Sequence, residues 1–254
     1  MSEMQKIQWF PGHMTKTKRK IEESLKQIDA VAEIVDARIP FSSRNPDIDK
    51  LISSKPRLVI LNKSDIADPK KTSALIEFYK NKGIRAISID CKTGKSINLF
   101  IPVIKEILKE KIESWNRKGL VGRNIRVMIV GVPNVGKSSF INKISKNKKA
   151  KVEDRPGVTR GNQWFFIDKN FDLLDTPGVL WPKFDDQSVA EKLAFTGAIK
   201  DQIMDSEQLS IRLLEFLAKK YKEILKERYK LDGIDFSDLN DEDILKLIGK
   251  IRGM

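Results

Sequence analysis

Cysteine and histidine are almost missing: the 254 residues include one of each, Cys91 and His13. A single cysteine excludes an internal disulfide framework and fits a reducing compartment, so a cytoplasmic location is expected. One cysteine with one histidine also gives no basis for a Cys/His metal cluster. No apolar run reaches the roughly 18 residues of a membrane span, so no membrane partner is expected. The opening MSEMQKIQWFPG lacks the apolar stretch of a secretory signal. Acidic residues are in deficit, 35 against 48 basic ones, for a net charge of +13. That imbalance points to a polyanionic partner, nucleic acid first and an acidic membrane surface second, and nucleic acid is the one expected. It is concentrated in residues 56–188, which carry 26 basic and 14 acidic side chains, whereas the segment from Val189 onward is near neutral.

What is present is an alternation. Val31–Asp36, Arg57–Leu61, Ile84–Ile89 and Ile125–Val130 read as strands, and Gln163–Ile167 with Phe171–Leu174 as a hairpin. Helical stretches are expected over about 69–82, 96–116 and 137–146. Strands alternating with helices predict an α/β domain with a six-stranded, mostly parallel sheet. After Pro182 the texture becomes helical. Residues 206–229 carry Leu209, Leu213, Leu217, Tyr221 and Ile224 at helical spacing, and Asn240 is a natural cap for a final helix. The expected division is therefore 1–186, including the N-terminal segment 1–27, and a small all-α domain over 187–254.

The run Gly131-Val-Pro-Asn-Val-Gly-Lys137-Ser138 matches G-x-x-x-x-G-K-[ST] between a strand and a helix. Such a loop turns backbone N–H groups toward phosphate oxygens, and the helix N-terminus favours their charge. Asn134, Val135, Gly136, Lys137, Ser138 and Ser139 are thus candidate phosphate-binding residues, with Ser138 a ligand for Mg2+. Asn62-Lys63-Ser64-Asp65 follows a strand and suits guanine. The Asp65 carboxylate accepts from N1–H and the exocyclic amine, a donor pair that adenine lacks. Lys63 can cover the base, and Asn62 can tie the base loop to the phosphate loop. Cys91 and Lys92 belong to a second base-contact loop, Asp90-Cys-Lys-Thr-Gly94. Asp175-Thr-Pro-Gly178 supplies an aspartate that holds Mg2+ through water and a Gly178 N–H that senses the γ-phosphate. Thr159, in Pro156-Gly-Val-Thr159, completes the metal shell when triphosphate binds.

The order of these motifs is unusual. A common GTPase places the phosphate loop first and the NKxD tetrapeptide after DxxG; here NKSD precedes both. A circular permutation explains this, with the old termini joined near 117–124 and new ends opened after DTPG. The order, together with Trp9-Phe-Pro-Gly-His-Met14, Asp36-Ala-Arg-Ile-Pro40, Ser43-Arg-Asn-Pro46, Arg155-Pro-Gly-Val-Thr-Arg-Gly161 and Asp175-Thr-Pro-Gly-Val-Leu-Trp-Pro182, resembles the circularly permuted GTPases that act in ribosome assembly. The resemblance covers nearly the whole chain. It implies GTP hydrolysis to GDP and phosphate, a low intrinsic rate stimulated by the ribosome, and a role in late maturation of the large (50S) subunit through ribosomal RNA. It also implies an RNA-binding C-terminal helical domain, with a monomer expected off the ribosome. The family pattern continues past a similar Arg-Gly with another helix, whereas this sequence ends at Met254.

The glutamine that many GTPases use to orient water after DxxG is replaced by Val179. The resemblance points instead to His13, whose neutral imbidazole ring would orient water. It also suggests that Asn134 helps bind a K+ ion beside the phosphates. Lys16, Lys18, Arg19 and Lys20, and Lys143, Lys146, Lys148 and Lys149, are candidate RNA contacts of the phosphate-backbone kind. Two other readings stand beside this one: a GTPase of small-subunit assembly or transfer-RNA modification, and a GTP-gated RNA-binding scaffold with little turnover. Asp36-Ala-Arg38 belongs to the resemblance without an assigned chemistry.

Overall fold

The strands expected from the sequence assemble into one sheet. The computed structural model describes residues 13–52, 55–147, 151–153, 163–181, 184, 186–199, 205–231, 233–234 and 240–253. The chain divides into two compact units, Gln8–Asp185 and Asp186–Met254. In the first unit the strands are β1 (Ala30–Asp36), β2 (Arg57–Asn62), β3 (Arg85–Ser88), β4 (Ile125–Val130), β5 (Lys151–Glu153), β6 (Gln163–Asp168) and β7 (Phe171–Asp175). The helices are α1 (His13–Leu25), α2 (Pro46–Leu51), α3 (Pro69–Asn81), α4 (Phe100–Ile107), α5 (Lys109–Arg117) and α6 (Lys137–Asn147).

The sheet order is β3-β2-β1-β4-β7-β6-β5. Pairings from β3 through β7 are parallel; β6 and β5 add antiparallel. All six expected strands form, and the short β5 makes a seventh at the edge. The central strand β1, AVAEIVD, is buried at every position, as a parallel strand covered on both faces must be. Register aligns the strand ends. Asp36 pairs with Asn62, Leu61 with Ser88, Glu33 with Val130 and Ile129 with Asp175. Five parallel strands therefore deliver the sequences that follow them to one edge, where ligands bind in open α/β sheets.

The link that closes the permutation is short. Lys118–Asn124 joins α5 to β4, turning through Gly119 (φ 76°) and Gly122 (φ 77°). Beneath the sheet, Phe100 of α4 meets Phe140 of α6 and Phe171 of β7 edge-on, at 5.0 and 5.7 Å. On the other face Ile21 and Leu25 of α1, Ile48 of α2 with its cap Ile52, and Val179 share one apolar cluster. The two amphipathic segments α1 and α2 had no counterpart in the sequence reading. α2 is short and capped by its own Asn45-Pro46 pair, the Asn45 side chain accepting from the Asp47 N–H.

The second unit holds α7 (Gln187–Phe195), α8 (Ser206–Lys220), α9 (Lys222–Tyr229) and α10 (Asp241–Arg252). The single helix expected over 206–229 breaks at Tyr221, whose φ of −140° leaves the helical region. A straight helix of that length would run about 36 Å and could not fold back on its own core. The break changes the phase of the apolar stripe. Leu214 and Leu225 form the core with Leu231, Ile244 and Ile248, while Tyr221 and Ile224 are exposed.

Candidate functional site

Four of the five strand ends, Asp36, Asn62, Ser88 and Asp175, are polar, and Asp36 and Asn62 bond to neighbouring segments. Asn62, the last residue of β2, is buried. Its amide nitrogen donates to the Val135 carbonyl at 2.7 Å, and its amide oxygen accepts from the Cys91 N–H at 3.2 Å. One side chain thus joins the NKSD segment, the phosphate-type loop and the loop after β3. Gly136 lies against it: a Cβ there would collide with the Asn62 amide, and the φ of 100° also disfavours a side chain. Lys63 adopts φ 62°, and its ammonium donates to Asp36 Oδ2 at 2.8 Å and to the Asn134 carbonyl at 2.9 Å. Ser64 Oγ donates to the Ile89 carbonyl. Asp65 is exposed, with the Arg38 guanidinium in its field.

The loop after β3 is held by Asp90, which accepts from the N–H groups of Lys92 (2.7 Å) and Thr93 (3.2 Å) and from the Thr93 hydroxyl. Lys92 is exposed. Burial pushes the Cys91 thiol up to about 12, and the Asp90 charge adds to this, so the sulfur stays neutral. Lys143 of α6 donates to the Lys92 carbonyl at 3.3 Å, and its aliphatic stem lies against Gly94. Lys143, a candidate RNA contact, is thus also a support for the loop after β3.

The phosphate side differs. Lys137, at the start of α6, is buried, and its ammonium donates to the carbonyls of Gly131 (3.1 Å) and Val132 (2.9 Å). Burial lowers its pKa to about 8, partly offset by Asp175. Asp175 ends β7. Burial raises its pKa, with Lys137 and the Thr176 N–H pulling the other way. Its Oδ1 is buried with no hydrogen-bond partner among the described residues. Ser138 and Ser139 are exposed at the helix start, and Asn134 takes φ 59° in the loop before it. Gly178 packs tightly: a Cβ would lie 2.7 Å from Pro133 N and 3.0 Å from the Lys137 ammonium. Only glycine brings that backbone so close to the lysine. A carboxylate oxygen and a serine hydroxyl are the hard oxygen donors that a divalent cation such as Mg2+ prefers. Among the described residues no cluster of three His, Cys, Asp or Glu side chains stands ready for a metal by itself.

Val179 is fully buried in the cluster with α1 and α2, so its side chain points away from any attacking water. Asn45 clamps this segment, its amide donating to the Val179 carbonyl at 2.9 Å. The Asn-Pro pair signals a helix cap in the sequence; nothing in it signals a bond to a residue so far along the chain. Thr159, Lys148 and Lys149 lie outside the described residues, as do the side chains of His13, Lys16 and Lys146. Lys18 pairs with Asp47, and Arg19, highly exposed, pairs with Glu23 one turn on. Lys20 is half-buried.

A family profile described as 50S ribosome-binding GTPase matches residues 126–236. A Bacillus cereus protein named ribosome biogenesis GTPase A is 51% identical over 250 residues, covering 97% of this chain and 82% of the relative. The chain belongs to the ribosome biogenesis GTPase A family. It is a GTP-hydrolysing enzyme, a ribosome assembly factor of the permuted kind. A Thermotoga maritima relative of the same name is 35% identical over 213 residues, 84% of this chain and 74% of the relative. The solved GNP-bound YlqF from T. maritima matches with a TM-score of 0.58 at 27% identity, over 94% of each chain. A GDP-bound YlqF structure matches with the same score at 26% identity, over 92% of this chain and 94% of that one.

Proposed function

We propose that this chain holds GTP across the five strand ends, hydrolyses it slowly alone and faster on the large ribosomal subunit, and contacts ribosomal RNA during late maturation of that subunit. The observation that carries the nucleotide site is the Asn62 amide, bonded to Val135 on one loop and Cys91 on another. It unites motifs whose sequence order is inverted. Asp65 accepts from the guanine edge, Lys63 covers the base, and Cys91 and Lys92 present backbone to it. The loop N–H groups from Asn134 to Ser139 and the Lys137 ammonium take the phosphates.

Family membership implies Mg2+. Ser138, Thr159 and, through water, Asp175 would hold it. When bound, it supplies charge neutralisation on the β- and γ-oxygens. Asn134 is proposed to favour a K+ ion beside it, acting as an arginine finger would. The Gly178 N–H bonds the γ-phosphate. Water attacks the γ-phosphorus while the bond to the β–γ bridging oxygen breaks, giving GDP and phosphate. Val179 cannot orient that water, so His13 is assigned the task.

The RNA side is supported by the +13 charge and by the names of the relatives. Of the candidate cations with described side chains, Arg19 offers the most exposed one, and recognition through backbone phosphates is expected. The helical unit is assigned to the same partner, and the chain is taken as a monomer away from it. The test is GTP turnover with and without large subunits in potassium buffer. Several-fold stimulation is expected, lost on replacing His13 with Ala and reduced in sodium; equal rates would overturn the reading. Burial of Val179 favours one alternative, a nucleotide-gated scaffold with little turnover. The same assay selects it if subunits bind in a nucleotide-dependent way yet leave the rate unchanged.

A further inference from the structure

Asp36-Ala37-Arg38 follows the central strand and has no assigned role in the nucleotide chemistry. In the structure Asp36 is the last residue of β1, paired in register with Asn62. Its carboxylate is only 2% exposed yet ionised. Burial alone would raise its pKa; hydrogen bonds and charge from Arg38 and Lys63 outweigh that and hold it below the ordinary value. Four donors surround it. Oδ1 accepts from the Arg38 N–H at 3.1 Å and Arg38 Nε at 2.9 Å; Oδ2 accepts from Arg38 Nη2 at 2.7 Å and Lys63 Nζ at 2.8 Å. These fill the lone-pair sites of a carboxylate. The Asp36 backbone is fixed as well, its N–H donating to Ser43 Oγ at 3.0 Å.

The other end of the Lys63 contact is the Asn134 carbonyl, in the loop that leads to Lys137. Lys63 and Asn134 both hold left-handed backbone, at φ 62° and 59°, which costs energy for residues with a Cβ. Two strained turns are therefore bridged by one ammonium, and that ammonium is aimed by one buried carboxylate. Arg38, with its side chain 31% exposed, completes the carboxylate's shell.

From this geometry we infer that Asp36 is a positioning residue for nucleotide retention: it fixes the Lys63 ammonium across the base and phosphate loops, and Arg38 braces it. The inference rests on the proposed guanine site. Asp36→Asn keeps size but turns an N–H2 group toward cationic donors, so Lys63 loses its anchor. Losing a charge-assisted hydrogen bond of this kind is expected to speed GDP release by about 10- to 100-fold.

The experiment is stopped-flow release of a fluorescent GDP analogue from wild type, Asp36→Asn, Lys63→Met, the double variant and Arg38→Ala, with steady-state GTP turnover alongside. Expected are faster release and higher KM in Asp36→Asn with kcat within about twofold, little further effect of Asp36→Asn once Lys63 is Met, and a smaller acceleration in Arg38→Ala. A merely structural role would not depend on Lys63. Release within twofold of wild type in Asp36→Asn, or effects of Asp36→Asn and Lys63→Met that simply add, would overturn the inference. If Asp36→Asn does not fold, unchanged release from Arg38→Ala overturns it instead. Failure of the wild type itself to bind guanine nucleotide would strike the underlying site, and Asp65→Asn in the same assay keeps the two failures apart.

Discussion

On the base side of the site, Asn62, Lys63 and Ser64 bond to neighbouring segments, and Asp90 holds its own loop together. On the phosphate side, Lys137 is buried with a depressed pKa and the Asp175 Oδ1 has no partner among the described residues. The difference follows from the ligand. A neutral base is read by shape and a few hydrogen bonds, so its pocket is stable while empty. A triphosphate with Mg2+ brings its own charges, and the groups awaiting it are strained without them. The base side contributes to the stability of the free protein; the phosphate side costs stability that nucleotide binding returns.

Replacing Lys137 with Met breaks this contrast most sharply. Nucleotide affinity should fall about 10²- to 10⁴-fold, for the loss of two or three charge-assisted bonds. The melting temperature of the nucleotide-free protein should hold or rise, since a poorly solvated charge is removed. Calorimetry with GDP and a thermal melt give both numbers, and a large drop in the free-protein melt would show that Lys137 is structural. Next, Asp65→Asn should lower GTP affinity about 10²- to 10³-fold and bring xanthosine nucleotides up toward it, measured by competition. A variant that still prefers guanine by the wild-type margin would remove Asp65 from base reading.

Asn62→Ala makes the opposite case to Lys137→Met. It strands the Val135 carbonyl and the Cys91 N–H, so the nucleotide-free protein should lose about 1–3 kcal/mol in urea unfolding. No loss would mean the base side is not preorganised. The smallest effect is a pH dependence. The Lys137 pKa of about 8 lies below its ordinary 10.5, so above pH 8 the free site must take up a proton to bind phosphate. GDP affinity should therefore drop about fourfold from pH 7 to 8.5. For the same reason the unfolded chain holds more protons than the folded one between these pKa values, and nucleotide-free stability should rise with pH there. A flat affinity profile would place the lysine in a more polar site than the geometry shows.

Strands, phosphate loop, NKSD and the permuted order were all legible, because each depends on local pattern: apolar runs, glycine spacing, a strand before and a helix after. The missed features are long-range or phase-dependent. The two helices α1 and α2 lacked a strong periodic signal of their own and form by packing on the sheet. The apolar stripe of the helical unit shifted because Tyr221 breaks the helix, and no single residue there forbids its continuation. Lys143 looked like one more surface lysine until the fold placed it beneath Lys92. Asp36 was recognisable as a motif, but its chemistry requires knowing that β1 and β2 are neighbours in register.

The amino-acid order by itself determined the element types, the family and the segments proposed to read guanine and phosphate, since these reside in short contiguous stretches with their own backbone demands. Only the tertiary structure decided which of those segments hold one another. The parallel register of β1, β2 and β4 brings Asp36, Lys63 and Asn134 within bonding distance, and burial then decides which charges are satisfied in the empty site and which await a ligand.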